Sequence, residues 1–172
     1  MVVIFDEYHL APEHRLPVAY KDVMGAVLWV RNQALGINGC DEWLTRITDF
    51  SRVCLMGSSV GGNIAYNACL RALDLDLNPI KIVGSNALNQ SFDYEKIRLL
   101  PQYLIRGYGG DPLVDRQRKF ATMLETLGVH LITKFDDEGY HGVDMFDRRK
   151  AQVLYNDIKS FIWSLVKNKS SL

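Results

Sequence analysis

The hydrophobic and polar positions along the chain alternate between short apolar runs and stretches with a helical period. The runs are rich in β-branched and aromatic residues and predict strands, at residues 2–5, 52–56, 80–83, 103–105 and 129–135. Apolar positions three or four residues apart predict helices, at residues 18–35, which Gly36 would cap, 63–72, 120–127 and 154–165. Such alternation favours a mostly parallel sheet covered by helices on both faces. We therefore expect an α/β fold of about five strands, forming a single domain over residues 1–172.

The second predicted strand leads directly into a Gly-x-Ser-x-Gly sequence and then into a helix. Gly57 and Gly61 flank Ser59, and glycines on either side give room for a tight strand-to-helix turn. Such a turn projects its central serine as a nucleophile, and the backbone N–H of Val60 would face the developing oxyanion. The neighbouring hydroxyl of Ser58 is a rival, and a plain Gly/Ser turn is the alternative interpretation.

An acyl-transfer serine needs a histidine to take its proton and a carboxylate to orient that histidine. In hydrolases with this kind of turn, the acid and then the histidine follow the serine along the chain. Asp111 comes directly after the fourth predicted strand, at the end of the sheet where ligand sites gather. Asp115 is the rival, although a carboxylate at that position is also typical of a helix N-terminus. Asp111 is thus the predicted acid.

The chain has four histidines, and their order separates them. His9 and His14 precede the serine, and His130 begins the last predicted strand. His141 alone follows that strand, in a loop flanked by glycines. A single loop histidine is commonly just solvated, so the prediction of His141 as the base depends on its combination with Ser59 and Asp111.

Composition and charge narrow the classes of partner. The 172 residues are 48% hydrophobic and 23% charged, which is enough to fill one core. Twenty basic residues balance twenty acidic ones, so neither nucleic acid nor an anionic membrane is expected as a partner. The three cysteines have no spacing typical of a metal or redox motif, which favours the cytosol. We expect a small-molecule partner and no metal or cofactor.

Three stretches resemble one known family. They are YHLAPEHRLP at residues 8–17, GGDPLVD at residues 109–115 and GYHG at residues 139–142. All three are similar to motifs of the plant carboxylesterases, in the hormone-sensitive-lipase-like branch of the α/β hydrolases, and the resemblance spans nearly the whole chain. It implies an α/β-hydrolase sheet and hydrolysis of small esters by Ser59, His141 and Asp111.

The chain also departs from the family pattern. Ser58 and Val60 stand where the family usually has Asp and Ser or Ala, and His9 replaces an arginine. No His-Gly-Gly motif, which supplies further oxyanion donors in the family, is found, and the lid segment at residues 90–100 is short. We therefore expect an incomplete hydrolase domain with weak turnover. The alternatives are a non-catalytic binding protein, like the gibberellin receptors of the same family, or an inactive remnant. The oligomeric state stays open.

Overall fold

A computed structural model of the chain describes residues 1–37, 39–85 and 94–167. Within these residues, four strands form one parallel sheet with the spatial order β1-β2-β3-β4. The strands are β1 (Val53–Leu55), β2 (Ile82–Ser85), β3 (Gln102–Tyr108) and β4 (Leu131–Asp136). Because all of them are parallel, their carboxyl ends meet at the same edge of the sheet.

Six α-helices and one 3-10 turn accompany these strands in the described part of the chain. They are α1 (Val18–Leu35), α2 (Glu42–Ile47), α3 (Val60–Ala72), α4 (Tyr94–Ile97), α5 (Val114–Thr126), the 3-10 turn (Val143–Met145) and α6 (Arg148–Lys167). Gly36 ends α1 with a φ of 69°, as its position in the sequence predicts. The pattern did not predict the short helices α2 and α4. The first turn of α2 is capped by Asp41, whose carboxylate accepts a hydrogen bond from the Leu44 N–H.

Helices cover both faces of the sheet, as the alternating pattern predicts. On one face, α3 and α5 pack over Tyr103 and Ile105 of β3, and α1 packs against α3. On the other face, α6 lies over Gly84 of β2, where an added Cβ would come within 2.8 Å of the Leu165 side chain. The side chains of Ile105 and Arg106 alternate between these two faces. The faces differ chemically, because the first is apolar and the second carries a charged cluster.

The predicted strand at residues 2–5 is wrong. This segment forms no strand, and its side chains are largely exposed, up to 91% for Phe5. A strand depends on a neighbouring ladder of main-chain hydrogen bonds, and this segment is paired with none of the four strands. The described sheet therefore has four strands instead of about five. The other predicted strands are present with bounds shifted by a few residues.

The predicted short lid segment lies partly outside the described residues. Residues 90–93 are not described, and α4 occupies the part that follows. None of the described helices is both long enough and apolar enough to cross a membrane.

Candidate active site

Ser59 lies in the tight turn between β1 and α3, in an unusual backbone conformation. Its φ of 53° and ψ of −120° make it the only non-glycine residue with a positive φ in the described part of the chain. This conformation is costly for a residue with a side chain, and it is maintained only where the surroundings enforce it. The turn is closed by hydrogen bonds from Gly61 N–H to Ser58 O and from Gly62 N–H to Ser59 O, at 2.8 and 3.0 Å.

The two glycines of the turn are not equivalent. A Cβ on Gly57 would overlap the carbonyl carbon and oxygen of Gly61, so only glycine fits there. A Cβ on Gly61 would meet nothing within 4 Å. The expectation that both glycines give room to the turn is therefore correct for Gly57 and wrong for Gly61. The space is needed on the strand side, where the helix backbone folds back against it.

Asp111 follows β3 and is almost completely buried, with a side chain that is 5% exposed. One carboxylate oxygen accepts a hydrogen bond from Leu113 N–H at 2.8 Å, and the other lies 2.8 Å from Nδ1 of His141. The rival Asp115 is in the first turn of α5, 82% exposed, with Arg118 at 3.8 Å. The structure brings Asp111 to the histidine and leaves Asp115 in solvent.

His141 lies between Asp111 and Ser59. Its Nε2 is 2.9 Å from Oγ of Ser59, while Nδ1 faces Asp111. With Nδ1–H donating to the carboxylate, Nε2 is left as an acceptor for the serine hydroxyl. His130 lies just before β4, at the opposite end of that strand from the loop that carries His141. His9 contacts Asp22 at 3.0 Å and has no hydrogen bond to any of the three site residues among those described.

The loops that carry Asp111 and His141 pack backbone against backbone. Gly109 N–H donates to Asp136 O at 2.8 Å, and Gly110 N–H donates to Gly139 O at 2.9 Å. A Cβ on either Gly109 or Gly110 would overlap a carbonyl oxygen of the facing loop. The sequence singled out these glycines as part of a motif, but this close approach is visible only in the structure. The two loops form one unit, which fixes His141 relative to Asp111.

Comparison with known proteins places the chain in a family. A model of the alpha/beta hydrolase fold matches residues 1–85. Probable carboxylesterase 8 of Arabidopsis thaliana is 41% identical, over 95% of this chain and 66% of its own length. The 3-O-acetylpapaveroxine carboxylesterase CXE2 of Papaver somniferum is 35% identical, over 94% of this chain and 68% of its own. The chain belongs to the plant carboxylesterase family of α/β hydrolases. It spans about two thirds of the length of these curated relatives.

Solved structures show the same fold as this carboxylesterase-family chain. A fungal esterase of Rhizomucor miehei aligns with a TM-score of 0.77 at 17% identity, over 92% of this chain and 63% of the other. An arylesterase aligns with a TM-score of 0.72 at 19% identity, over 94% and 64%. At these identities the likeness supports the α/β-hydrolase fold and no finer property.

A groove of about 620 Å³ runs from the site along the open edge of β1 in this member of the carboxylesterase family. Its lining is mostly apolar and includes residues 1–6, parts of α1, α3, β1 and β3, and the inner side of α6. Leu154, Ile158 and Ile162 are the α6 residues that line it. Their spacing of four residues predicted a core-facing helix, and nothing in that spacing indicates that this face borders the site. Among the described residues, no group of three or more His, Cys, Asp or Glu side chains could hold a metal ion.

Proposed function

We propose that the chain is a serine hydrolase that cleaves small carboxylic esters, with Ser59 as nucleophile, His141 as base and Asp111 as acid. The proposal depends on one observation above all, the continuous hydrogen-bonded path from the Asp111 carboxylate through the imidazole of His141 to the Ser59 hydroxyl. Membership of the carboxylesterase family supports the same reaction class.

The reaction follows from this geometry. His141 Nε2 accepts the hydroxyl proton as Ser59 Oγ bonds to the ester carbonyl carbon, and Asp111 stabilises the imidazolium that results. The N–H of Val60, the first residue of α3, would donate to the oxyanion of the tetrahedral intermediate. When the intermediate collapses, the C–O bond to the alcohol breaks and His141 returns the proton to the leaving oxygen. Water then attacks the acyl-serine by the same route, releasing the acid and restoring Ser59.

The groove supports a neutral, largely apolar ester as the substrate class. Its apolar lining would bind the carbon skeleton, because burying that surface is favourable, while the ester carbonyl is presented to Ser59. One relative is named for 3-O-acetylpapaveroxine, and from that name we take only the ester class. The cytosolic location expected from the cysteine pattern stays a prediction.

Hydrolysis of p-nitrophenyl acetate tests the proposal, with Ser59→Ala as the blank and Ser58→Ala as the matched control. We expect wild type and Ser58→Ala to release p-nitrophenolate above the blank. Equal rates for wild type and Ser59→Ala would refute the proposal and leave a binding role. The weak turnover expected from the sequence stays a prediction, and the same assay measures it against the Arabidopsis relatives.

A further inference from the structure

A cluster of charged side chains lies on the face of the sheet that α6 covers. The guanidinium of Arg106, on β3, donates to Asp136 Oδ2 at 2.8 Å and to Asp157 Oδ2 on α6. Lys150 of α6 reaches the same Asp136 oxygen at 3.5 Å. The side chain of Arg106 is only 4% exposed. We call these four residues the Arg106 cluster, and it joins β3, β4 and α6.

The Arg106 cluster joins three elements through buried charges, which costs free energy because these charges lose their hydration. Burial lowers the pKa of Arg106, but its contacts with Tyr108, Asp136 and Asp157 raise that pKa above its ordinary value, so the group stays charged. Withdrawing such a charge from water costs much of what its ion pairs return, and apolar side chains of similar volume often stabilise a fold equally well. Directional ion pairs also fix the positions of the groups that they join, so the chain segments next to the cluster are constrained as well.

The cluster is connected directly to the loop that carries His141. Asp136 is the last residue of β4, and the loop begins immediately after it. Lys150 Nζ also donates to the carbonyl oxygen of Glu138 at 3.1 Å, in the middle of that loop. A charged side chain on α6 thus holds the backbone three positions before His141.

Tyr108 forms a second connection between the cluster and the loop. The cationic groups of Arg106 and Lys150 lie 5.2 and 5.6 Å from the centre of its ring. The same ring packs against Gly139, where a Cβ would approach Tyr108 Cδ1 to 2.7 Å. Gly139 therefore rests on a ring whose position is set by two members of the Arg106 cluster.

We propose that the Arg106 cluster positions the His141 loop relative to Ser59 and Asp111, with Lys150 as the positioning residue that acts through the Glu138 carbonyl. This inference rests on the proposed hydrolase function. Lys150 touches neither the serine nor the histidine. Its effect is to keep the imidazole at the two short distances on which proton transfer depends, since a misplacement of about 1 Å costs roughly a hundredfold in rate.

Lys150→Met tests the proposal, because methionine keeps an unbranched stem and removes the donor and the charge. Lys159→Met is the matched control, since Lys159 is on the same helix and exposed to solvent. For p-nitrophenyl acetate, we expect Lys150→Met to lower kcat by roughly ten- to a hundredfold with little change in KM. Lys150→Arg should recover most of the loss, and Lys159→Met should behave as wild type.

Two further readouts separate positioning from stability and from the proposed function. The melting temperature of Lys150→Met should stay close to that of Lys159→Met. The low-field proton NMR signal of His141 Nδ1–H, identified by its loss in His141→Ala, should be sharp in wild type and broadened in Lys150→Met. This signal is measurable whether or not the chain turns over substrate, so a wild type no faster than Ser59→Ala refutes the hydrolase alone. An unchanged kcat and NMR signal, or a much lower melting temperature, would overturn the positioning role.

Discussion

The β3–β4 half of the sheet is built differently from the β1–β2 half. Strands β3 and β4 pair in continuous register from Tyr103 opposite Leu131 to Tyr108 opposite Asp136. Strand β1 pairs with β2 over a shorter stretch, and the register shifts between Val53 and Cys54. Among the described strands, the outer edge of β1 has no partner and faces the apolar groove, whereas β4 at the other edge carries Lys134, a residue type that discourages further pairing.

This difference divides the site into two parts. Asp111 and His141 come from the β3–β4 half, which we call the continuous half. Their loops are held by backbone hydrogen bonds and glycine contacts. Ser59 comes from the β1–β2 half, which we call the open half. Its position depends on the strained turn and on Gly57. Asp111 and His141 are thus fixed by packing between two loops, while Ser59 is fixed by local backbone geometry. We therefore expect substitutions at Asp111 to act mainly on kcat, and substitutions in the Ser59 turn to act on the free energy of unfolding as well.

Asp111→Asn should produce the largest effect, in the continuous half. An amide at this position can donate to Nδ1, which favours the tautomer with its proton on Nε2 and leaves no acceptor for the Ser59 hydroxyl. The corresponding change in another Ser-His-Asp enzyme lowered kcat by about ten-thousand-fold, and we expect a loss of that order in p-nitrophenyl acetate hydrolysis.

Asp115→Asn is the matched control for this prediction. Its carboxylate is 82% exposed and contacts only Arg118 among its described ion pairs, so kcat should stay within about twofold of wild type. Loss of activity in Asp115→Asn with near-normal Asp111→Asn would exchange the two assignments.

Gly57→Ala and Gly61→Ala test whether the Ser59 turn, in the open half, depends on close backbone approach at Gly57. The added methyl group at Gly57 would overlap the Gly61 backbone, which no side-chain rotation can relieve. We expect it to lower the free energy of unfolding by about 1–3 kcal/mol. The same change at Gly61, in the first turn of α3, meets open space and should raise that free energy by up to about 1 kcal/mol.

Urea unfolding measures both values, and rates of fluorophosphonate labelling follow the serine. Labelling should slow in Gly57→Ala and stay close to wild type in Gly61→Ala. Equal stabilities for the two variants would show that the turn does not depend on close approach at Gly57.

The three residues that the structure brings together were all singled out by the sequence, while the features that hold them in place were not. Ser59, Asp111 and His141 stand out by order and by their places after strands, and the structure puts them within hydrogen-bonding distance. The strand predicted at residues 103–105 was expected to end before Arg106, because a charge interrupts the apolar run there. This predicted end is wrong. The strand continues to Tyr108 because Asp136 and Asp157 compensate that charge. Such a partner, 30 or more positions away, leaves no periodic trace in the sequence.

The predicted strand at residues 2–5 failed for a related reason. Its β-branched composition favours an extended backbone, but a strand also requires a neighbour, and none of the described strands pairs with it. In the same way, the predicted third strand ended before Gly84 and Ser85, whose small side chains are poor strand formers. They belong to β2 because Phe161 and Leu165 of α6 fill the space over Gly84.

Two cysteines test how well the β1 edge is protected, with a smaller expected effect. Burial raises the pKa of Cys54, on β1, and of Cys69, in the core of α3, in each case to about 11. Their thiolate populations are therefore similar, so the alkylation rates compare how readily the β1 edge and the core under α3 open. Cys69 is 2% exposed and Cys54 is only partly buried.

We expect iodoacetamide to modify Cys54 at least roughly tenfold faster than Cys69, which corresponds to about 1.4 kcal/mol in opening free energy. Peptide mass spectrometry over a time course measures the two rates in one sample. Equal rates would contradict the view that the β1 edge is less protected than the core under α3.

The central claim is that Ser59 is activated by His141 and Asp111, and a fluorophosphonate adduct located by mass spectrometry tests it most directly. Only an activated hydroxyl should react at low probe concentration, because unactivated serines are poor nucleophiles. The predicted result is a single adduct on Ser59 that is lost in Ser59→Ala and in His141→Ala and retained in His130→Ala. An adduct on Ser58, or labelling that persists in Ser59→Ala, would contradict the account.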